Sequence, residues 1–469
     1  MVTTVRTGRI PGEHPTAGAS FRVRCRLMNV PGTLAGLLAQ VGNLGSDVRS
    51  VELIETRYDY VLRDVTFLAY SPEHASSVVA AMRTAPNVDI ISVTDLTLEV
   101  HAGGKIAVAL KSAVENGDDL ARVYTPGVGR VAKLIAADQG RAWDLTSKGN
   151  AVAIVTDGSA VLGLGSLGPL AALPVMEGKA ILFRKMAGID AWPLCLDVHT
   201  IPEIVDAVCA VAPSFGAINL EDIAAPACFE VERLLSERLG IPVFHDDQHG
   251  TAIVVLSALY NAMKLTGQTL GALRVVICGV GAAGSACARL LVRAGVEDII
   301  GVDREGIIQS PLKVGGVEVN LNPRAVVGGL AEAMEDADVL IGTSAGGLVS
   351  REMVASMRAP RIVFALANPD PEIHPSEIGD LAQIVATGRS DYPNQINNGL
   401  VFPGLFRGLL DCRARRVSVA VMLAVAQALS EVVPSDSLAT DYLMPSLLDP
   451  LVPVAIAQAV RKVLSTEKH

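Results

Sequence analysis

The chain has 469 residues, of which 50% are hydrophobic and 19% are charged, and this balance excludes an intrinsically disordered protein. Its formal net charge of −10 and its 4% of aromatic residues argue against nucleic-acid binding, which needs clustered Lys and Arg and stacking platforms. At roughly 150 residues per domain, this length predicts about three domains.

The N-terminal sequence and the cysteine pattern predict a cytoplasmic protein. The opening residues MVTTVRTGRIPGEHP contain no apolar core of a signal peptide, and no apolar run reaches the roughly 18–20 residues that cross a bilayer. The seven cysteines are scattered without a C-x-x-C pair, so neither a structural zinc site nor a disulfide framework is expected. We therefore expect no membrane partner.

The first predicted domain covers residues 18–100 and follows a tail at residues 1–17. Strand-like alternation in FRVRCRLM precedes a helical spacing in TLAGLLAQVGNLG, then two strands, a helix in PEHASSVVAAMRTA and a closing strand in VDIISVTDLTLEV. This β-α-β-β-α-β order predicts a ferredoxin-like fold. The stretch NVPGTLAGLLAQVGNLGSDVRSVEL resembles the ACT domain, a regulatory module that binds an amino acid where two copies pair. The alternative is a packing or dimerisation domain without a ligand, and Asn29 and Gly32 are the candidate effector contacts.

Two α/β domains are predicted after it. Apolar strands that end in acidic or glycine-rich turns, each followed by a helical pattern, predict an α/β substrate domain over residues 101–265. Residues 266–430 alternate strands and helices, which predicts a Rossmann-type doubly wound parallel sheet. Its strands are expected in LRVVIC, DIIGVD, DVLIGTS, RIVFALAN and AQIVATG, and residues 431–469 are expected to form a C-terminal helical segment.

The run CGVGAAGS places G-x-G-x-x-G between a strand and a helix, which is the context of a dinucleotide-binding turn. Its glycines permit a tight turn, close approach of a pyrophosphate and close helix packing, and the helix N-terminus favours the phosphates. An aspartate about 20 residues further on would bind the ribose and favour NAD, whereas the arginine beside it would accept the 2′-phosphate of NADP. A tight turn with an incidental aspartate is the alternative. The predicted contacts are Gly279, Gly281, Ala282, Ala283, Gly284, Asp303 and Arg304.

The run VFHDDQHGTA, residues 243–252, places two aspartates and two histidines between apolar stretches. His245 and His249 have the spacing of a zinc-protease helix, but an aspartate stands at the general-base position and the preceding IPVF predicts a strand. One aspartate could cap a helix. Two adjacent acids here, and a second acidic pair in NLEDI, instead favour a shared oxygen-ligand site for Mg²⁺ or Mn²⁺.

Six motifs together resemble bacterial malic enzymes, in the same order, from about residue 105 to the C-terminus. They are YTPGV, TDGSAVLGLGSLGP, PVMEGKAILF, INLEDIAAPACFEVE, IPVFHDDQHGTAIV and NQINNGLVFPGLFRGLLD. The resemblance implies metal-dependent oxidative decarboxylation of (S)-malate to pyruvate and CO₂ with reduction of NAD or NADP. It also implies a homodimer or a higher homo-oligomer. The alternatives are a malolactic enzyme, which returns the hydride and releases lactate, and a non-catalytic amino-acid sensor of the ACT type.

The resemblance also assigns roles to individual residues. The metal ligands would be Glu221, Asp222 and Asp247. Lys179 would be the general base, held by Asp246, and Tyr124 the general acid. Without the resemblance, Lys179 could simply face solvent and Tyr124 could simply flank a turn.

Three asparagines would contact substrate or nicotinamide, and one expected arginine is missing. Asn368 in LANPDPEI and Asn398 in QINNG are the stronger candidates, Asn397 is the weaker, and the last two precede a glycine and could serve only a turn. In the larger animal-type malic enzymes an arginine that grips the substrate follows TDGE, whereas this chain has Ala160. Arg389 is a candidate replacement.

Overall fold

The computed structural model describes residues 15–314 and 317–467, which fall into two compact units divided after Lys105. Residues 1–14, most of the predicted tail, lie outside the described residues, and Thr16 already belongs to a strand. Within the described ranges, no helix has both the length and the hydropathy of a membrane span.

The first unit is a four-stranded antiparallel sheet with helices on one face. Its strands lie in the order β2-β3-β1-β4. Alternate residues of β1, such as Val23 and Cys25, are buried in one core with Leu37 and Val78 of the two helices. The elements follow the predicted order: β1 Thr16–Met28, α1 Thr33–Asn43, β2 Asp47–Thr56, β3 Tyr60–Ala69, α2 Pro72–Arg83 and β4 Val88–Asp95.

The closing strand of this unit is shorter than the sequence predicted. β4 ends at Asp95, and Leu96–His101 forms a short helix, α3. The Asp95 carboxylate accepts hydrogen bonds from the backbone N–H groups of Thr97 at 2.8 Å and Leu98 at 3.1 Å. This cap stabilises a helical first turn, so the chain leaves the sheet despite the apolar alternation in DLTLEV.

The second unit begins with the predicted α/β substrate region. Its sheet is fully parallel, in the order β6-β5-β7-β8. All six residues of β5 are buried, as expected for a parallel strand covered on both faces. The strands are β5 Ala151–Thr156, β6 Asp190–Cys195, β7 Ala217–Leu220 and β8 Val243–His245. The helices are α4 Gly117–Val123, α5 Gly127–Ala137, α6 Ala142–Leu145, α7 Pro169–Ala187, α8 Ile201–Val211, α9 Ala227–Arg238 and, after a π-helical turn at Asp246–Gly250, α10 Thr251–Thr266.

A six-stranded sheet follows, in the order β11-β10-β9-β14-β15-β16, and only β11 is antiparallel. All five predicted strands are present. From β9 the chain adds β10 on one side and later β14 on the other, so the strand order reverses between β9 and β14. A ligand crevice is expected beyond the carboxyl ends of these two strands. The strands are β9 Arg274–Cys278, β10 Asp298–Asp303, β11 Gly306–Ile307, the hairpin β12 Leu312–Val314 and β13 Val317–Val319, β14 Val339–Gly342, β15 Ile362–Ala365 and β16 Ile384–Thr387. The helices are α11 Ala282–Ala294, α12 Leu330–Met334, α13 Arg351–Ser356, α14 Pro375–Ile378, α15 Phe402–Asp411, α16 Val419–Ser430 and α17 Leu451–Thr466.

Helix α10 connects the two parallel sheets through one hydrophobic core. Residues Ala252 to Leu259 are all buried, as expected for a helix with protein on every side. The same core contains Ile154 of β5 and Ile277 of β9. A domain boundary at residues 265 and 266 stays a prediction, because this core is continuous across the end of α10.

The C-terminal segment, residues 431–469, is less helical than predicted. Helix α17 covers only Leu451–Thr466, whereas the sequence predicted helix from Ser437 onward. Pro445 and Pro450 interrupt the segment, since proline lacks the N–H that a helix interior needs. The buried Asn394 holds it instead: its side chain donates to the Thr440 carbonyl at 2.7 Å and accepts from the Leu443 N–H at 2.7 Å.

Candidate active site

Acidic side chains gather where two neighbouring strands of the first parallel sheet end. β7 is followed at once by Glu221 and Asp222, and β8 by Asp246 and Asp247. Because carboxyl ends of parallel strands meet at one edge, residues far apart in sequence come together. One oxygen from each of Glu221, Asp222 and Asp247 lies within 4.8 Å of the other two. The structure thus brings the two acidic pairs of the sequence together at one sheet edge, and their role as metal ligands stays a prediction.

The backbone around Asp222 is arranged to hold the cluster. Asp222 has a left-handed backbone with φ of 51°, and its N–H donates to Asp247 Oδ2 at 2.8 Å. The loop after β5 closes from the other side, where Leu162 N–H donates to Asp222 Oδ1 at 3.3 Å and Ala160 N–H donates to its carbonyl at 3.0 Å. Ala160, the position at which the sequence lacks the expected arginine, thus helps to hold Asp222 through its backbone N–H.

Lys179 is buried in the middle of α7, so the alternative that it faces solvent is wrong. Its Nζ lies 2.5 Å from Asp246 Oδ2, forms an ion pair with Glu221, and sits 4.6 Å from the centre of the Phe402 ring. Burial alone would lower the pKa of Lys179, but the carboxylates of Asp246 and Glu221 outweigh burial and raise it above the usual lysine value.

Burial and the charges of neighbouring groups together shift the pKa values of the carboxyl groups. Burial, with the charge of Asp247, raises the pKa of Glu221 well above its ordinary value and that of Asp222 to about 7. Burial also raises the pKa of Asp246 to about 6, against the opposing charge of Lys179. Among the described residues, buried Asp222 Oδ2 has no hydrogen-bond partner. An unpartnered oxygen among crowded carboxylates fits a hard divalent cation such as Mg²⁺ or Mn²⁺.

The turn Asp246–Gly250 needs glycine at its end, because a Cβ on Gly250 would lie 2.0 Å from Asp246 Oδ1. Its two histidines do not form the zinc site considered from the spacing. His245 ends a strand and is fully buried, while the His249 ring bonds to the carboxylate of Glu232 at 3.0 Å. Both ring nitrogens of His245 lack hydrogen-bond partners within the described ranges.

The G-x-G-x-x-G turn has the geometry its glycines imply. Gly279 has φ of 94°, and a Cβ on Gly284 would lie 1.9 Å from the Gly279 carbonyl oxygen, so helix α11 packs directly on the turn. A Cβ on Gly281 would meet nothing within 4 Å, which leaves room for a phosphate at the start of α11, beside Ala282 and Ala283. These residues fit a dinucleotide. Asp303 and Arg304 are exposed at the end of β10, and Asp303 accepts a hydrogen bond from Glu305 N–H at 2.8 Å.

Two protein-family models match this chain. The malic enzyme N-terminal domain matches residues 103–236, and the malic enzyme NAD-binding domain matches residues 327–465. An NAD-dependent malic enzyme from Geobacillus stearothermophilus is 46% identical over 451 residues, which is 94% of this chain and 94% of that protein.

The chain belongs to the malic enzyme family. The prediction that it is an NAD(P)-dependent enzyme of this family is confirmed. A bifunctional malic/malolactic enzyme from Bacillus subtilis is 46% identical over 79% of this chain and 93% of that protein. The crystal structure of a malic enzyme from Pyrococcus horikoshii is 45% identical, with a TM-score of 0.74, over 78% of this chain and 88% of that one.

The asparagines of this malic enzyme lie in loops between the two sheets. The Asn368 carbonyl would lie 2.9 Å from a Cβ on Gly163, which belongs to the glycine-rich loop beside Asp222. The Asn398 Cβ would lie 3.1 Å from a Cβ on Gly250. Asn397 Oδ1 accepts a hydrogen bond from Gly399 N–H at 2.7 Å, as expected for the turn-forming alternative.

Two further candidates occupy less suitable positions. The Tyr124 side chain is 66% exposed at the end of α4. The Arg389 guanidinium is bonded to the Asp391 carboxylate through two hydrogen bonds at 2.9 and 2.7 Å. The Asp391 carboxylate therefore already neutralises the Arg389 charge, which argues against an ion pair between Arg389 and a substrate carboxylate.

Sequence reasoning missed three side chains that position the site, of which Asn219 and Glu372 are buried. The Asn219 amide donates to Glu221 at 3.0 Å, and Thr343 Oγ1 donates to the Gly279 carbonyl at 2.7 Å. The Glu372 carboxylate accepts from Ser344 N–H at 2.8 Å and Ala367 N–H at 3.0 Å, joining the loops after β14 and β15. The sequence could have indicated these residues only by their positions in or after apolar strands: Asn219 in INLED, Thr343 in IGTS and Glu372 in NPDPE.

The raised pKa of Asp222 predicts a falling stability with rising pH in metal-free protein. Between the unfolded value of 3.8 and the folded value of about 7, the folded state holds a proton that the unfolded state has lost. Stability is therefore greatest at the acid end of this window and is lost as the pH rises through it. We expect the Tm, measured with a chelator, to fall between about pH 5 and pH 7.

Asp222→Asn removes this titration while keeping a residue that tolerates a positive φ, so it should reduce the slope of Tm against pH. Asp303→Asn, at an exposed strand end, should leave the slope unchanged. An equal slope in Asp222→Asn and the wild type would contradict this origin of the pH dependence.

Proposed function

We propose that the protein catalyses divalent-metal-dependent oxidative decarboxylation of (S)-malate to pyruvate and CO₂ with reduction of NAD. The observation that carries the proposal is the cluster of three carboxylates in contact with a buried lysine. The relatives named NAD-dependent malic enzymes, 46% and 37% identical over 94% and 92% of this chain, support both the reaction and NAD. The exposed Arg304 leaves NADP as the alternative cofactor.

The residues divide the reaction between them. Glu221, Asp222 and Asp247 would hold the metal, and the glycine turn at residues 279–284 would hold the cofactor. When bound, NAD accepts the C2 hydride, and the cation stabilises the negative charge left when the C4 carboxylate departs as CO₂. Lys179 removes the proton of the C2 hydroxyl, and Tyr124 donates a proton to C3.

The charge around Lys179 supports its role as a base only with a cation bound. In the metal-free site the neighbouring carboxylates raise its pKa, which keeps it protonated. A divalent cation among those carboxylates offsets their charge and lowers the pKa of the lysine. Asp246 remains at 2.5 Å to orient Lys179, and Phe402 and burial exclude water from it.

Lys179→Ala tests the assignment. With malate, NAD and Mn²⁺, we expect wild-type enzyme to form pyruvate and reduced NAD in equal amounts, and kcat of the variant to fall about a hundredfold or more. Lys185→Ala, an exposed lysine on the same helix, is the matched control and should keep wild-type turnover. Calorimetric titration with Mn²⁺ shows whether the variant keeps a folded metal site. Turnover of Lys179→Ala within a few-fold of wild type would remove the lysine from the chemistry.

The same assay tests a malolactic function, which the relative named as a bifunctional malic/malolactic enzyme favours. In that reaction the hydride returns to the 2-oxo product, so lactate accumulates without net reduction of NAD. The balance of lactate against pyruvate decides between the two.

We further propose a cytoplasmic homodimer in which Tyr124 of one copy completes the site of the other. Helices α4 and α5, on either side of Tyr124, bury no residue within the chain. Leu120 and Val123 beside it are also about half exposed. A surface of this kind is typical of a subunit interface, where a second copy covers the apolar side chains.

Mixed dimers test this sharing. Tyr124→Phe and Lys179→Ala should each be nearly inactive alone. If the site is shared, a mixed dimer purified through two different tags contains one intact site and recovers about half of wild-type turnover. An inactive mixed dimer would place both residues in the site of one chain.

We propose that the first unit is an ACT module that binds an amino acid. Its sheet order and its open turn after β1 support this, since a Cβ on Gly32 would meet nothing within 4 Å and Asn29 beside it is exposed. The relative aligned over 451 residues extends beyond the second unit, so it shares part of the first. A packing domain without a ligand is the alternative.

The twenty standard amino acids, tested on the full chain by thermal shift and by malate kinetics, identify an effector. We expect at least one to change the KM for malate about fivefold or more, the effect of a typical coupling free energy. Asn29→Ala should abolish the response, while Asn43→Ala, at the opposite end of α1, should keep it. Absence of any response in the wild type would favour the packing domain.

A further inference from the structure

A pocket of about 230 Å³ lies beside the metal-binding turn, and neither the carboxylates nor the glycine turn belongs to it. Gln248 and His249, which follow Asp247 directly, form part of its wall. The other walls come from α9, β8, α11, α16 and the segment 415–417 before α16. The pocket therefore touches both the turn that carries a metal ligand and the helix that begins at the cofactor turn.

The lining is rich in arginine. Arg233, Arg289, Arg415 and Arg416 face the pocket, against one carboxylate, Glu232. Glu232 is already bonded to His249, and Arg233 is bonded to Glu230 and Glu237 outside the pocket. Three guanidinium groups thus remain around the cavity without a carboxylate assigned to them.

The best-positioned of the three is Arg289, which is partly buried. Its guanidinium donates only to neutral oxygens, Gln248 Oε1 at 3.1 Å and the Ser285 carbonyl at 3.4 Å. Burial lowers the pKa of Arg289, against the opposing charge of the Glu232 carboxylate. In the described part of the chain, Arg415 and Arg416 form no ion pair. The pocket wall accordingly carries more positive than negative charge.

We propose that this pocket binds a small, multiply charged oxyanion of the phosphate class, as a regulatory site of the proposed malate reaction. Guanidinium groups bind phosphate oxygens through paired hydrogen bonds, and three of them suit an anion of two or more charges. The volume is below the range of ordinary ligand pockets, so the anion is inorganic phosphate or the phosphate end of a small monoester. The fully buried Gln248 amide adds a polar contact.

The site is connected to the chemistry through Arg289. Its helix, α11, begins at the cofactor turn, and its partner Gln248 lies one residue after Asp247. An anion that binds the Arg289 guanidinium competes with the Gln248 oxygen for the same donors. Loss of that bond alters the turn that carries Asp247, so phosphate should change the apparent affinity for Mn²⁺ and malate.

Calorimetric titration of the full-length, metal-free protein with inorganic phosphate tests binding. Saturating NAD is included so that the glycine turn cannot take up phosphate. We expect saturable binding, weakened about tenfold or more in the double variant Arg415→Ala, Arg416→Ala, since bonds between charged groups carry that much affinity. Arg461→Ala, an exposed arginine outside the pocket, should bind like wild type. A phosphate monoester such as glycerol phosphate distinguishes the two sources of the anion.

Two results overturn the proposal: no saturable binding of either anion to wild type, or equal binding by the double variant. Kinetics with phosphate test the coupling, which rests on the proposed function. The KM for malate or Mn²⁺ should shift in wild type and not in the double variant, and an unchanged KM with phosphate bound would exclude a regulatory role. Calorimetry needs no turnover, so failure of the proposed reaction would not be mistaken for failure of the anion site.

Discussion

The arrangement of the site depends on one buried ion pair network, in which a single lysine lies between carboxylates from two strand ends. Lys179 Nζ contacts Asp246 and Glu221 in a region with almost no solvent access. A buried charge is tolerated only with partners, so α7, β7 and β8 must pack in this register for any of the three side chains to be buried. The packing that forms the first parallel sheet is thus also the packing that builds the site.

The network has a surplus of negative charge, and this surplus explains its chemistry. One lysine faces four carboxyl groups, and burial together with this excess of negative charge raises the pKa values of Glu221, Asp222 and Asp246. Such a site is costly to fold when empty and is stabilised by a hard cation. A cation held there would offset the charge that keeps the lysine protonated, so the proposed metal site and the proposed base are linked.

The two parallel sheets meet at their carboxyl ends through loops rather than through strands. Gly163 approaches the Asn368 carbonyl, and the Glu372 carboxylate joins the loops that follow β14 and β15. Helix α10 fixes the sheets relative to each other, since its buried residues pack into a core common to both. The proposed cofactor turn on the second sheet and the proposed metal site on the first would thereby face one crevice.

The sequence by itself determined the elements and most of the candidate chemistry. Apolar runs bounded by glycine, proline and acidic turns predicted the five parallel strands of the second sheet, because buried parallel strands are continuous apolar runs, but not the short antiparallel strand β11. The acids of NLEDI and VFHDDQHG were recognised from type and spacing. At Asp95 a helix cap ends the strand, and at Pro445 and Pro450 prolines interrupt the predicted helix. These residues are visible in the sequence, but the apolar pattern around them favoured a longer strand and a longer helix.

Only the tertiary structure decided which side chains meet. Lys179 and Asp246 are 67 positions apart, and Asn219, Thr343 and Glu372 gain their roles from partners on other strands. The arginine-lined pocket likewise joins residues of α9, α11 and the 415–417 segment, which no local pattern connects. The physical reason is that periodicity reports which face of an element is buried, whereas contact between elements depends on how the sheets and helices pack.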